Sequence, residues 1–552
     1  MKRLILSTMA AALGCGETVT GPSFGDGTDG SGPADSTGEA PGVSDSTGSN
    51  GTTAVGDADS GSDDAASTGF IFDVGDSAGS GGPSLCEVSD GMDAVVPCED
   101  MAPPDAFEPE VQWAWYGEDN ETNSVVTPLV ANLTDDNGDG NIDLCDVPDV
   151  VVVAYGCDDP GLCIATDGHI YVLDGATGEL HFRIETEVNA GRTPALGDID
   201  DDGMVEIISA VNDRLVAFEH DGTLKWTSPD EGVIGSSHNA ALADLDLDGD
   251  VEIVEGRGIF DHDGILVALP GVTDYSGAPT AADLDGDGDL EVILGGSAIH
   301  HDGVPYFVLE GVGGFNGGFG QVANLDGDPQ PEVVFATHDG LVIAEHDGTV
   351  AAPLLSPIAE GEYDRPVTIH DFDGDDTAEL AVKTETQYAV MELDASVHWS
   401  AVVDENSYGS GGTAFDFLGD GTAEAIYADE HNLFVFDDTG GALLSVPRSS
   451  YTAIEYPVVA DVDNDGSAEI VVVSNRNQSG VATAPTVQVV RDIDDRWIPA
   501  RRIWNQHSYH VTNVREDGTI PSPEPRSWEH LNTFRTQAQI TGQGGALCDP
   551  AG

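Results

Sequence analysis

From about residue 126 to residue 500 the chain alternates short apolar runs with turns rich in Asp and Gly. The runs VEIISA, VEIVEG, LEVILG, PEVVFA, AELAVK, AEAIYA and AEIVVV are each too short for a helix and are bounded by turn residues, which predicts buried strands. Each is followed by a second apolar stretch with a tight turn in it: VAFEHDGTLKW, IFDHDGILVAL, AIHHDGVPYF, VIAEHDGTVAA, VMELDASVHW and LFVFDDTGGALL. Asp-Gly between alternating apolar residues signals a hairpin, because a turn of the right twist needs positive φ. One repeat is therefore three to four short antiparallel strands.

The polar half of each repeat carries the chemistry. In ADLDLDGDVEIV, Asp244, Asp246 and Asp248 alternate, Gly249 permits a sharp reversal, and Glu252 opens the apolar run. Several oxygens converging from one loop suit a hard cation such as Ca²⁺, which takes six to eight oxygen ligands. The pattern recurs at Asp135, Asn137, Asp139 and Asp143; at Asp198, Asp200, Asp202 and Glu206; and at Asp283, Asp285, Asp287 and Glu291. Further copies are Asn324, Asp326, Asp328 and Glu332; Asp371, Asp373, Asp375 and Glu379; Asp416, Asp420 and Glu424; and Asp461, Asp463, Asp465 and Glu469. The first positions fall 39 to 63 residues apart, the period of propeller blades. A blade buries its faces only against its neighbours, so the copies are expected to stack into a closed ring.

In these loops and hairpins the chain resembles the FG-GAP or VCBS repeat family, the integrin-α-like β-propellers. The resemblance covers residues 126–500 and implies an all-β propeller whose loops bind calcium on one face. It places the ligands at loop positions 1, 3, 5 and 9, with a backbone carbonyl at 7. The sets beginning at Asp198, Asp244, Asp283 and Asp461 match fully. Leu418 replaces the carboxylate at position 3 of the Asp416 loop, and Pro329 and Asp376 replace the Gly in two others. Eight motifs predict eight blades, although integrin-like relatives have seven. The stretch VQWAWYG, before the first motif, reads as a last-strand sequence that closes the ring.

Outside the repeats, Lys2 and Arg3 precede an apolar run ending in Leu13-Gly14-Cys15-Gly16. This is read as a signal peptide (1–15) with a lipobox, Cys15 being the acylated residue; an ordinary cleaved signal is the alternative. Residues 16–84 are Gly, Ser, Thr, Asp and Ala with almost no large apolar side chain, which predicts a disordered stalk. A Cys-containing lead-in (85–125) follows. If Cys15 carries lipid, six cysteines remain, an even number in an exported protein, which favours disulfides. Short separation favours Cys86–Cys98 and Cys157–Cys163, leaving Cys145 for Cys548.

Eighteen basic against 101 acidic residues give a net charge of −83, which excludes a nucleic-acid surface and disfavours polyanionic ligands. Arg491, Arg496, Arg501, Arg502, Arg515, Arg526 and Arg535 cluster at the end with Trp497, Trp504, Tyr509 and Trp528. This segment (501–552) reads either as a recognition patch or, the reading preferred here, as a cap packed on the blades. His507 and His510 stand three apart without an evident third metal ligand, and His220, His262, His301 and His346 each mark a hairpin turn. Neither a nucleophile elbow nor a zinc-protease or phosphate-loop motif occurs. The expectation is thus a calcium-binding, lipid-anchored propeller at the outer membrane or cell surface, or else secreted. It would bind a glycan or a surface protein, and meet the membrane only through its anchor. The alternatives are a polysaccharide lyase or hydrolase and a structural envelope component.

Overall fold

The computed structural model describes residues 86–549 apart from short stretches, chiefly within 89–105, 158–166, 231–238, 273–276, 313–318, 352–364, 406–409, 476–483 and 542–545. The signal segment, Cys15 and residues 16–84 therefore lie outside the described residues. Eight antiparallel blades make up the ring, and the described residues hold two 3₁₀ turns and no α-helix. The count is eight, as the eight motifs predict, and not the alternative seven.

Blade 2 shows the plan. Strand Ala195–Gly197 lies innermost, the acidic loop follows, and Glu206–Val211, Arg214–Phe218 and Leu224–Thr227 complete the sheet outwards. The inner strands are buried, all but Val211 at the end of the second, because neighbouring blades cover both faces. Strand direction alternates, so the acidic loop (first to second strand) and the Asp-Gly hairpin (third to fourth) emerge on the same face of the ring.

Ring closure mixes the two ends of the chain. Pro109–Trp115 pairs with Val487–Asp492 as the outermost strand of blade 8, whose inner strands are Val458–Ala460 and Glu469–Val473. VQWAWYG thus closes the ring as expected, and the lead-in before residue 126 contributes a blade strand.

Aromatic residues of several outer strands lock one blade to the next. A Cβ at Gly264 would lie 2.5 Å from the Trp226 ring, and one at Gly440 would lie 2.7 Å from Trp399. Both glycines also hold positive φ, 74° and 77°, so the hairpin needs Gly for its turn and for its neighbour's indole.

The C-terminal segment reaches every blade at or beside its innermost strand. Val130 and Trp504 exchange two backbone hydrogen bonds in blade 1, and Leu196 N–H donates to Asn505 O in blade 2. Leu242 N–H donates to Gln506 Oε1 in blade 3, and Ser508 Oγ donates to Pro279 O in blade 4. Asn324 N–H donates to Asn532 Oδ1, Ile369 N–H to Phe534 O, and Thr413 Oγ1 to Arg535 O in blades 5, 6 and 7. Gln537 Nε2 donates to Val459 O in blade 8. Trp497, Trp504, Tyr509 and Trp528 are all buried, so these aromatics are packing residues and do not form an exposed recognition patch. The segment fills the axis of the ring and satisfies strand edges that would otherwise be bare.

The cysteines correct the expected pairing. Cys86 bonds Cys145, which rules out Cys86–Cys98 and Cys145–Cys548. Separation along the chain misled because the lead-in folds back onto the first acidic loop, where Leu144 N–H donates to Cys86 O. Cys157 is disulfide-bonded, while Cys98 and Cys163 lie outside the described residues.

Candidate metal centres

Seven of the acidic loops share one geometry. The Glu at position 9 opens the second strand and turns Oε2 back to accept the backbone N–H of position 2. The donors are Ile199 (3.0 Å), Leu245 (2.8 Å), Leu284 (3.0 Å), Leu325 (2.6 Å), Phe372 (2.7 Å), Phe417 (2.9 Å) and Val462 (2.9 Å). That bond leaves Oε1 for the loop interior. The first Asp accepts the N–H of position 6, from Gly203, Gly249, Gly421 and Gly466. Asp376 takes this place in blade 6 with φ 68° and makes the same bond at 2.9 Å, so replacement of the Gly leaves the loop intact. In blade 5, where Pro329 follows position 5, Asn324 Nδ2 donates to Asp328 O.

Convergence follows from this frame. Asp371, Asp373, Asp375 and Glu379 each bring one oxygen within 4.8 Å of the others. Burial pushes Glu206, Glu291 and Glu332 up to about 7, and Glu252 and Glu379 up to about 8. It raises Asp416 to about 6 and carries Glu424, Asp461 and Glu469 well above the carboxylate range. Asp244 Oδ1, Glu332 Oε1, Asp461 Oδ1 and Glu469 Oε1 are buried with no hydrogen-bond donor. Orphaned, like-charged oxygens are costly unless a cation satisfies them, and an oxygen-only donor set suits a hard one.

Blade 7 is poorer, because Leu418 brings no carboxylate and its carbonyl instead accepts Ala102 N–H at 2.8 Å. In blade 4, Arg526 Nη2 reaches Asp283 Oδ2 at 2.5 Å, and His300 Nδ1 lies 2.8 Å from Glu291 Oε1.

Blade 1 departs from the sequence register. Leu133 N–H donates to Asp149 Oδ2 at 2.9 Å, and Asp149 opens strand Asp149–Gly156, so Asp149 is the counterpart of the Glu and Asn132 that of the first Asp. Asp143 lies before the strand. Asp135, Asn137, Asp139 and Asp143 belong to an inserted turn in which Asp135 accepts N–H groups from Gly138, Asp139 and Gly140. Asp146, missed in the sequence reading, accepts Asn137 and Asp143 N–H and closes this turn. From Asp135 to Asp146 the residues stand at positions 1, 3, 5, 7, 9 and 12 with Gly140 at 6, the layout of a helix-loop-helix calcium loop.

The histidines do other work. His510 Nε2 lies 2.6 Å from Glu524 Oε1 and its ring stacks on Phe534. His507 stacks on Phe319 and is held neutral by burial and by nearby Arg535. Hairpin histidines sit by their own blade's loop, His301 Nδ1 lying 3.2 Å from Asp289 and His262 Nδ1 3.9 Å from Asp250.

No family model and no curated protein matches the chain. Among solved structures, the Bacillus licheniformis rhamnogalacturonan lyase is 16% identical with a TM-score of 0.45 over 77% of this chain and 80% of that one. The rhamnogalacturonan lyase YesW is likewise 16% identical, with a TM-score of 0.48 over 80% and 83%. The biofilm matrix protein Bap1 of V. cholerae is 22% identical and superposes with a TM-score of 0.66 over 78% of this chain and 99% of that one. The chain therefore shares with Bap1 the fold of an eight-bladed β-propeller.

Proposed function

We propose that this is a calcium-binding propeller of the FG-GAP/VCBS type, exported and anchored through Cys15, that binds a neutral glycan or a surface protein. The observation that carries the calcium reading is the set of buried carboxylate oxygens without donors, repeated at one place in the blade. Bound Ca²⁺ would neutralise the loops and hold them rigid, and because the site is absent from the unfolded chain its binding adds to stability. Rigid loops and hairpins on one face then offer a fixed surface of the kind a multivalent matrix component uses, as the fold shared with a biofilm matrix protein suggests.

Charge narrows the ligand. Basic side chains are committed internally: Arg448 to Glu455 at 3.0 Å, Arg502 to Glu516 at 2.8 Å and Arg496 to Asp492 at 2.7 Å. An acidic polymer would meet a field of its own sign.

The test incubates the full chain with neutral and acidic polysaccharides, with calcium and with chelator, and reads both binding and chain ends. Calcium-dependent, saturable binding without new ends supports the proposal. New unsaturated ends would move the assignment to a lyase, and radiolabelled palmitate absent from Cys15 would remove the anchor.

A further inference from the structure

The outer edge of the blades is irregular at one repeated place. Pairing of the third and fourth strands slips by one residue at Val172/Leu173, Ala217/Phe218, Ile259/Phe260 and Ala298/Ile299. The same slip occurs at Val390/Met391, at Val435/Phe436 and, in blade 8, between Val111 and Trp113. The unopposed residues are His181, Lys225, Val267, Tyr306, His398, Leu443 and Gln112 in blades 1, 2, 3, 4, 6, 7 and 8. A bulge re-aims a side chain out of strand alternation. Here several polar ones reach the acidic loop of their own blade: Gln112 Nε2 donates to Asp463 Oδ2 at 2.6 Å, and His398 Nδ1 lies 3.5 Å from Asp373 Oδ2.

Blade 2 carries this furthest. Lys225 Nζ lies 2.7 Å from Asp200 Oδ2, 3.2 Å from Glu206 Oε1 and 3.2 Å from Glu219 Oε2, so three ammonium donors meet three carboxylates. Both oxygens of Asp198 accept backbone N–H groups, and both of Glu206 have donors. In blade 3 the bulge residue is Val267, which is 60% exposed and brings no donor, and Asp244 Oδ1 stays buried without a partner.

We infer that, in the blades that carry one, the bulge residue sets the loop's demand for metal, and that Lys225 is the resident cation of blade 2, whose loop takes no calcium while that of blade 3 does. This rests on the calcium reading above. An ammonium at the position-3 and position-9 carboxylates occupies the oxygens a metal would need and repels it, whereas the Val267 side chain sets no charge beside Asp246 and Glu252.

Native mass spectrometry of the full chain with calcium chloride, compared across the wild type, Lys225→Met and Val267→Lys, tests it. Lys225→Met is expected to bind one ion more than the wild type, and Val267→Lys one fewer. In chelator Lys225→Met should also unfold at a lower temperature than the wild type, with calcium restoring the difference. A folded Lys225→Met with an unchanged count, or a Val267→Lys that keeps every ion, overturns the inference while the calcium reading stands. If Lys225→Met does not fold, Val267→Lys decides. A wild type that binds no calcium overturns the calcium reading and this inference with it.

Discussion

Trp113 donates its indole N–H to the carbonyl of Gly175 at 2.6 Å, and its ring covers the hairpin glycine Gly178. The same contact, aromatic on the next blade's turn, recurs around the ring. Only here does it join the strand contributed by the N-terminal end to blade 1. Trp113→Ala removes a buried indole and the closing bond together, so a loss of about 3–5 kcal/mol is expected. The urea midpoint measures it, and an unchanged midpoint would show that closure does not depend on this contact.

Stability should change its pH dependence with calcium. Without metal, Glu206, Glu252, Glu291, Glu332 and Glu379 have folded-state values of about 7 to 8 against 4.5 for an unperturbed glutamate. Between those limits the folded chain holds more protons than the unfolded one, so stability falls as pH rises through the window. Calcium takes the place of those protons, and its binding strengthens as they leave. Thermal unfolding in chelator should therefore give a lower Tm at about pH 8 than at about pH 5, and saturating calcium should abolish or reverse the difference. A chelated protein whose Tm rises over the window would contradict the burial of these carboxylates.

One substitution separates charge from metal. In chelator at about pH 8, Glu252→Gln removes a carboxylate that burial makes costly to ionise, keeps an acceptor for Leu245 N–H, and should raise Tm. In calcium the same change should lower Tm below the wild type's, because a ligand is lost. Equal Tm shifts in the two conditions would mean that Glu252 does not meet a metal.

The disulfide Cys86–Cys145 spans 59 residues and pins the lead-in to the inserted turn of blade 1. The chain-entropy model gives about 4 kcal/mol for a loop of this length. Cys86→Ala should lower the denaturant midpoint accordingly, and calcium should offset part of the loss if the Asp135–Asp146 turn binds it. A Cys86→Ala midpoint equal to the wild type's would show that the tether adds nothing.

The ring and its loops were legible because each repeat states three things in register: alternating carboxylates, a buried strand, and an Asp-Gly hairpin. Even the closing strand showed, since Trp113 reads like Trp226 and Trp399. Blade 1 did not, because its insertion repeats the Asp-x-Asn-x-Asp pattern and so hides Asp149, which only the bond from Leu133 reveals. Nor did the bulges: a one-residue slip leaves no mark in composition, and Lys225 looks like any strand lysine until Asp200 is seen 2.7 Å away. The arginines and aromatics of the tail allowed a recognition patch beside the preferred cap, and its course along the axis did not show, because a polar sequence that satisfies strand edges is indistinguishable from one that faces water.

That axis gives the last prediction. Trp504 is fully buried, stacks on Tyr509 with ring centroids 4.2 Å apart, and sits in the residue that exchanges backbone bonds with Val130. Tyr509 in turn accepts from Arg501 Nη1 and donates to Gln537 Oε1, which ties the two passes of the tail together. Trp504→Ala leaves a cavity where several blades meet, so it should cost about 3–5 kcal/mol and lower the unfolding transition of the whole ring as one unit. Deleting residues 497–552 removes partners at or beside the innermost strands of all eight blades at once and should abolish the cooperative transition. If the truncated chain instead melts sharply near the wild-type temperature, the blades hold themselves together and the tail is an accessory to the ring, not its axle.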